Sequence, residues 1–67
     1  METNVNLSKP LAVVVFCANR TEKFTHPLGV TFKYTESGEL VVLALDRLGT
    51  YLAVFARGAW EMVKYAD

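Results

Sequence analysis

The sequence predicts an α+β domain of order β-β-β-α, an antiparallel three-stranded sheet with one C-terminal amphipathic helix packed on one face. Three observations predict it. An unbroken apolar run at 11–18 and a cleanly alternating run at 28–35 have the composition and period of strands. Glu36-Ser37-Gly38 separates that alternating run from a third apolar segment, as a hairpin loop would. From Leu45 to Ala66, apolar residues recur at threes and fours.

Residues 1–10 read as a polar arm, and 11–67 as the single domain. Pro10 punctuates the start of the first strand. That strand is apolar on both faces, with Leu11, Val13, Val15 and Cys17 on one and Ala12, Val14, Phe16 and Ala18 on the other. A strand of this kind is covered on both faces. Residues 19–27 form the one long connection, with Phe24 its lone aromatic and a plug for the end of the sheet.

The second strand sets Leu28, Val30, Phe32 and Tyr34 on one face. Gly38 suits the positive-φ position of a type I turn followed by a bulge. That turn places Thr35 opposite Glu39, Tyr34 opposite Leu40 and Phe32 opposite Val42. The third strand, 39–45, is also apolar on its far face, through Val41, Leu43 and Leu45.

In the last third, Leu48, Leu52, Phe55, Trp60 and Val63 lie along one helical stripe, and Asp46 is placed to cap its first turn. The stripe packs on the face carrying Phe32 and Tyr34. Gly49 and Gly58 weigh against an unbroken helix, at about 1 kcal/mol each. A rival reading makes 51–56 and 59–65 two further strands around an Arg57-Gly58 turn, but Arg-Gly is a weak hairpin signal.

At 67 residues the chain is small. A domain of this size buries only about 60% of the surface its unfolded chain exposes. Such domains commonly need a disulfide, a metal or a partner chain. One cysteine and one histidine supply neither of the first two. The chain is also 52% hydrophobic, and one helix covers only one face of a sheet. These points predict a homodimer, through the uncovered face or by pairing of an exposed strand edge, with Val14, Phe16, Val41 and Leu43 at the contact.

Seven basic and seven acidic residues balance, so no charge excess draws the chain to nucleic acid or an anionic membrane. No apolar run is long enough to span a bilayer, and Met1–Pro10 lacks the pattern of a signal peptide. With a single cysteine, this reads as a cytoplasmic protein. No phosphate-binding loop, metal cluster or cofactor motif is present, and no small-molecule substrate is implied. Cys17, His26 and Asp46 could be assembled into a triad on paper, but the apolar neighbours of Cys17 mark a core thiol.

The functional expectation is a non-enzymatic, self-associating protein-interaction domain. The alternative is a small nucleic-acid-binding regulator that uses Phe32 and Tyr34 as a stacking platform. Against that alternative, the same face is the seat of the helix. Tyr51 and Tyr65, nearer the stripe's edges, could meet a partner.

Overall fold

The computed structural model describes residues 12–66. The polar arm at 1–10 and the first residue of the first predicted strand lie outside them. Six strands of five residues follow one another: β1 Ala12–Phe16, β2 Thr21–Thr25, β3 Val30–Tyr34, β4 Leu40–Ala44, β5 Tyr51–Phe55 and β6 Met62–Ala66. They form two antiparallel three-stranded sheets, ordered β2-β1-β6 and β3-β4-β5. The domain is therefore all-β, and the expected β-β-β-α architecture is overturned: among the described residues there is no helix.

The hairpin forms as its turn residues dictate. Thr35 N–H donates to the Glu39 carbonyl at 2.9 Å, and Gly38 N–H to the Thr35 carbonyl at 3.0 Å. Gly38 has φ +87°, and the register pairs Tyr34 with Leu40 and Phe32 with Val42.

The segment read as a helix is instead two strands joined by a turn, close to the rival reading. Gly49 and Gly58 adopt φ +63° and +88°, a left-handed backbone that ends any helix reaching it. Ala59 N–H closes a turn onto the Ala56 carbonyl at 2.9 Å. Gly58 is the third residue of that turn, where a type II turn requires positive φ. The spacing of threes and fours has a different origin. A register shift opposite Val42 and Leu43 leaves Leu52 as an extra residue on β5. The bulge lets Leu52 reach the core along with Phe55, although they stand three apart. Trp60 reaches it from the turn and Val63 from β6. Four of the five stripe residues thus do face the core, from other elements than the one expected, while the fifth, Leu48, is almost fully exposed.

The supposed long connection contains β2. Its strand period is hard to see because Phe24 is its one apolar residue. Phe24 packs against the core, edge-on to Phe55 with ring centroids 6.0 Å apart.

The core joins Val13 and Val15 of β1 to Val30, Leu40, Val42 and Phe55 of the other sheet. No polar or charged side chain is buried among the described residues. The outer faces are not left bare. Lys33 stands opposite Val41, and Tyr51 opposite Leu43. Lys33 Nζ lies 5.4 Å from the centre of the Tyr51 ring, so the pair meets across the outer face of β4. A lysine stem covers apolar surface while its charge sits on an aromatic face. Lys64 lies in the same way over Phe16 on the outer face of the first sheet, at 5.6 Å.

Gly58→Ala separates the two architectures by sign. Nothing lies within 4 Å of the added Cβ, so the cost is backbone strain alone, about 1–2 kcal/mol at positive φ. In a helix the same change stabilises by about 1 kcal/mol. Urea denaturation is expected to show a lower midpoint for Gly58→Ala, and a higher one would contradict the turn.

Candidate functional site

An aromatic row crosses from one sheet to the other. Phe32 and Tyr34 project from the inner face of β3, an edge strand of the second sheet. Tyr65 lies opposite Val13 on β6, an edge strand of the first. Trp60 comes from the turn before β6. Tyr65 and Phe32 have ring centroids 5.0 Å apart. Phe32 and Tyr34 meet edge-to-face at 5.9 Å, and Tyr34 stacks on Trp60 at 5.6 Å with the planes only 19° apart. The Tyr65 and Thr31 hydroxyls share a hydrogen bond of 2.8 Å, which ties the two edge strands together.

Phe32 and Trp60 are half-buried and lean on the core, while Tyr34 and Tyr65 are 59% and 46% exposed. The expected seat of a helix is thus an open surface. Its inner rings are held by packing, which lowers the entropy lost when a partner binds.

The charges around the row are ordered. Lys33 and Lys64, the lysines of its two strands, are turned to the outer faces and lie over Tyr51 and Phe16. Glu36 and Glu61 are exposed at the chain positions flanking Tyr34 and Trp60. Glu39 is held by Thr35, whose hydroxyl accepts from the Glu39 amide at 3.0 Å. Arg57 lies over Gly38, where a Cβ would come within 3.1 Å of its side chain.

The paper triad does not gather into a site. Cys17 packs against the core and its amide donates to the Arg20 carbonyl in the β1–β2 turn. His26 Nδ1 accepts from the Leu28 amide at 3.1 Å within its own turn. The Asp46 carboxylate accepts from the Thr50 hydroxyl at 2.6 Å and the Thr50 amide at 3.0 Å. The expected helix cap thus fastens the β4–β5 turn by the same chemistry, a short carboxylate taking amide hydrogens. Among the described residues, no group of three or more His, Cys, Asp or Glu could hold a metal.

Of the four expected interface residues, Val14 and Phe16 lie on the outer face of the first sheet, and Val41 and Leu43 on that of the second. They do not form one patch. Val41 is 3% exposed within the protomer, and the other three are half-buried. Trp60 and Tyr65 join Phe32 and Tyr34 only through the fold. A pointer to Tyr65 was present, since the helical stripe left it at an edge.

Comparison with protein-family models, curated proteins and solved structures found no significant match to this chain. Among the described residues no helix is long and apolar enough to cross a membrane.

Asp46 carries a pH prediction. The Thr50 hydroxyl first, and the Thr50 amide second, hold its pKa below the ordinary 3.8. A carboxylate depressed on folding contributes stability above its unfolded pKa and loses it as pH falls through the folded value. The advantage of the wild type over Asp46→Asn in urea is therefore expected at about pH 7 and should fade by about pH 2. An advantage unchanged in acid would show that the charged carboxylate is not what holds the turn.

Proposed function

We propose that this is a non-enzymatic protein-interaction domain whose aromatic row receives an extended, proline-rich segment of a partner protein. The observation that carries the reading is the exposed Tyr34 ring, stacked on Trp60 and continued by Phe32 and Tyr65. Rings whose centroids lie 5.0 to 5.9 Å apart touch one another and form a continuous aromatic surface. A polyproline II segment rises about 3.1 Å per residue and has no internal hydrogen bonds to break. It can lay its rings on such a surface at low entropic cost. Glu36 and Glu61 favour a basic residue beside the prolines.

Nucleic acid fits less well. Stacking on the row would need cations along the phosphate path, and the lysines of β3 and β6 face away from it. The single cysteine suits a reducing compartment, and the cytoplasm is the location we propose.

Trp60 is the sole tryptophan, so its fluorescence reports on the site directly. Titration with a proline-rich peptide ending in arginine is expected to give a saturable change in emission. Tyr34→Ala should weaken that binding about tenfold or more, as loss of an interface aromatic does. A response only to a mixed-sequence single-stranded oligonucleotide, tested at about 50 mM salt, would transfer the site to the nucleic-acid reading. Silence towards both ligands would end the proposal.

A further inference from the structure

The two sheets have four edge strands, and one of them is guarded only by a bulge. Natural edges carry charges, prolines or bulges that discourage pairing with another chain. Glu22 and Lys23 lie in β2, Lys33 in β3 and Lys64 in β6. β5, with the sequence YLAVF, has neither a charge nor a proline. Its outward side chains Tyr51 and Val54 are 57% and 54% exposed. Leu48, in the turn leading into it, is exposed as well.

The backbone of β5 is also available. Thr35 and Glu39 are a hydrogen-bonded pair, so alternate residues of β4 from Glu39 onward bond to β3. Those between them, Leu40, Val42 and Ala44, turn towards β5, and Ala44 N–H donates to the Thr50 carbonyl at 2.8 Å. Val54, opposite Val41, therefore directs its own N–H and C=O away from β4.

We propose that β5 pairs antiparallel with β5 of a second copy about a two-fold axis at Val54. Val54 of one copy exchanges backbone hydrogen bonds with Val54 of the other, and the two sheets fuse as β3-β4-β5-β5-β4-β3. A second copy is favoured over an unrelated strand because a two-fold contact needs a self-complementary surface. An uncharged strand that meets its own copy at Val54 satisfies that need with no like-charge pair to bury. The domain's small size adds to the benefit, since each copy gains cover for apolar surface it cannot bury alone. The bulge at Leu52 confines the pairing to the second half of β5, so the contact is small. Interfaces below about 1,200 Å² belong to weak, transient associations.

Sedimentation velocity tests this across a concentration series up to about 500 μM, a range suited to such a weak contact. The average mass of the wild type is expected to rise with concentration. Val54→Lys should raise the dissociation constant at least tenfold. At this half-exposed position it should still fold, which circular dichroism checks. Val54→Pro removes the outward N–H while sparing the β4 ladder, and should act in the same direction. Leu28→Lys, at an exposed apolar residue outside β5, should leave association unchanged. A wild type that stays monomeric throughout overturns the proposal. So does a dimer that survives in folded Val54→Lys, or one that Leu28→Lys weakens as much.

Discussion

Covering two strands that are apolar on both faces is the constraint on which this structure depends. β1 and β4 are the central strands of their sheets. Val13 and Val15 of one, with Leu40 and Val42 of the other, are fully withdrawn from water. With no disulfide to hold the chain and no polar side chain in its core, cohesion among the described residues rests on apolar burial and the ladders. The other four strands flank these two and shield their edges. Burial of this kind is non-directional, so it sets which residues meet but leaves the choice of helix or strand to backbone and topology.

The outer faces show how a small chain can shelter excess apolar surface without a third layer. Lys33 reaches across β4 to Tyr51, and Lys64 lies over Phe16 of β1. A surface expected to need a second subunit is thereby partly closed within the protomer. The same arrangement takes positive charge away from the inner aromatic row. That leaves a ring-lined surface with Glu36 and Glu61 exposed at the chain positions flanking Tyr34 and Trp60.

Much of the hairpin was legible because its information is local. Three residues of turn chemistry, with clean alternation before them and an apolar run after, specified the register of Tyr34 with Leu40. The last third was misread because two periods coincide there. A bulge at Leu52 and a turn before Trp60 shift strand residues onto spacings of three, and that pattern also describes a helix face. A corrective signal was present in the glycines at 29, 38, 49 and 58, all with positive φ. Turn residues at such even intervals mark a succession of short strands.

The sequence by itself determined β1, the β3–β4 hairpin with its register, and four of the five residues of the apolar stripe as inward: Leu52, Phe55, Trp60 and Val63, though not Leu48. Each of these depends on neighbours in the chain or on hydrophobicity alone. The tertiary structure decided that β5 and β6 are strands, that β2 exists, and that four aromatic rings share one surface. Those outcomes depend on partners distant in sequence: Val63 lies against Val15, and Tyr65 against Phe32. An edge strand with few inward residues has little preference of its own, and takes its form from the strand it pairs with.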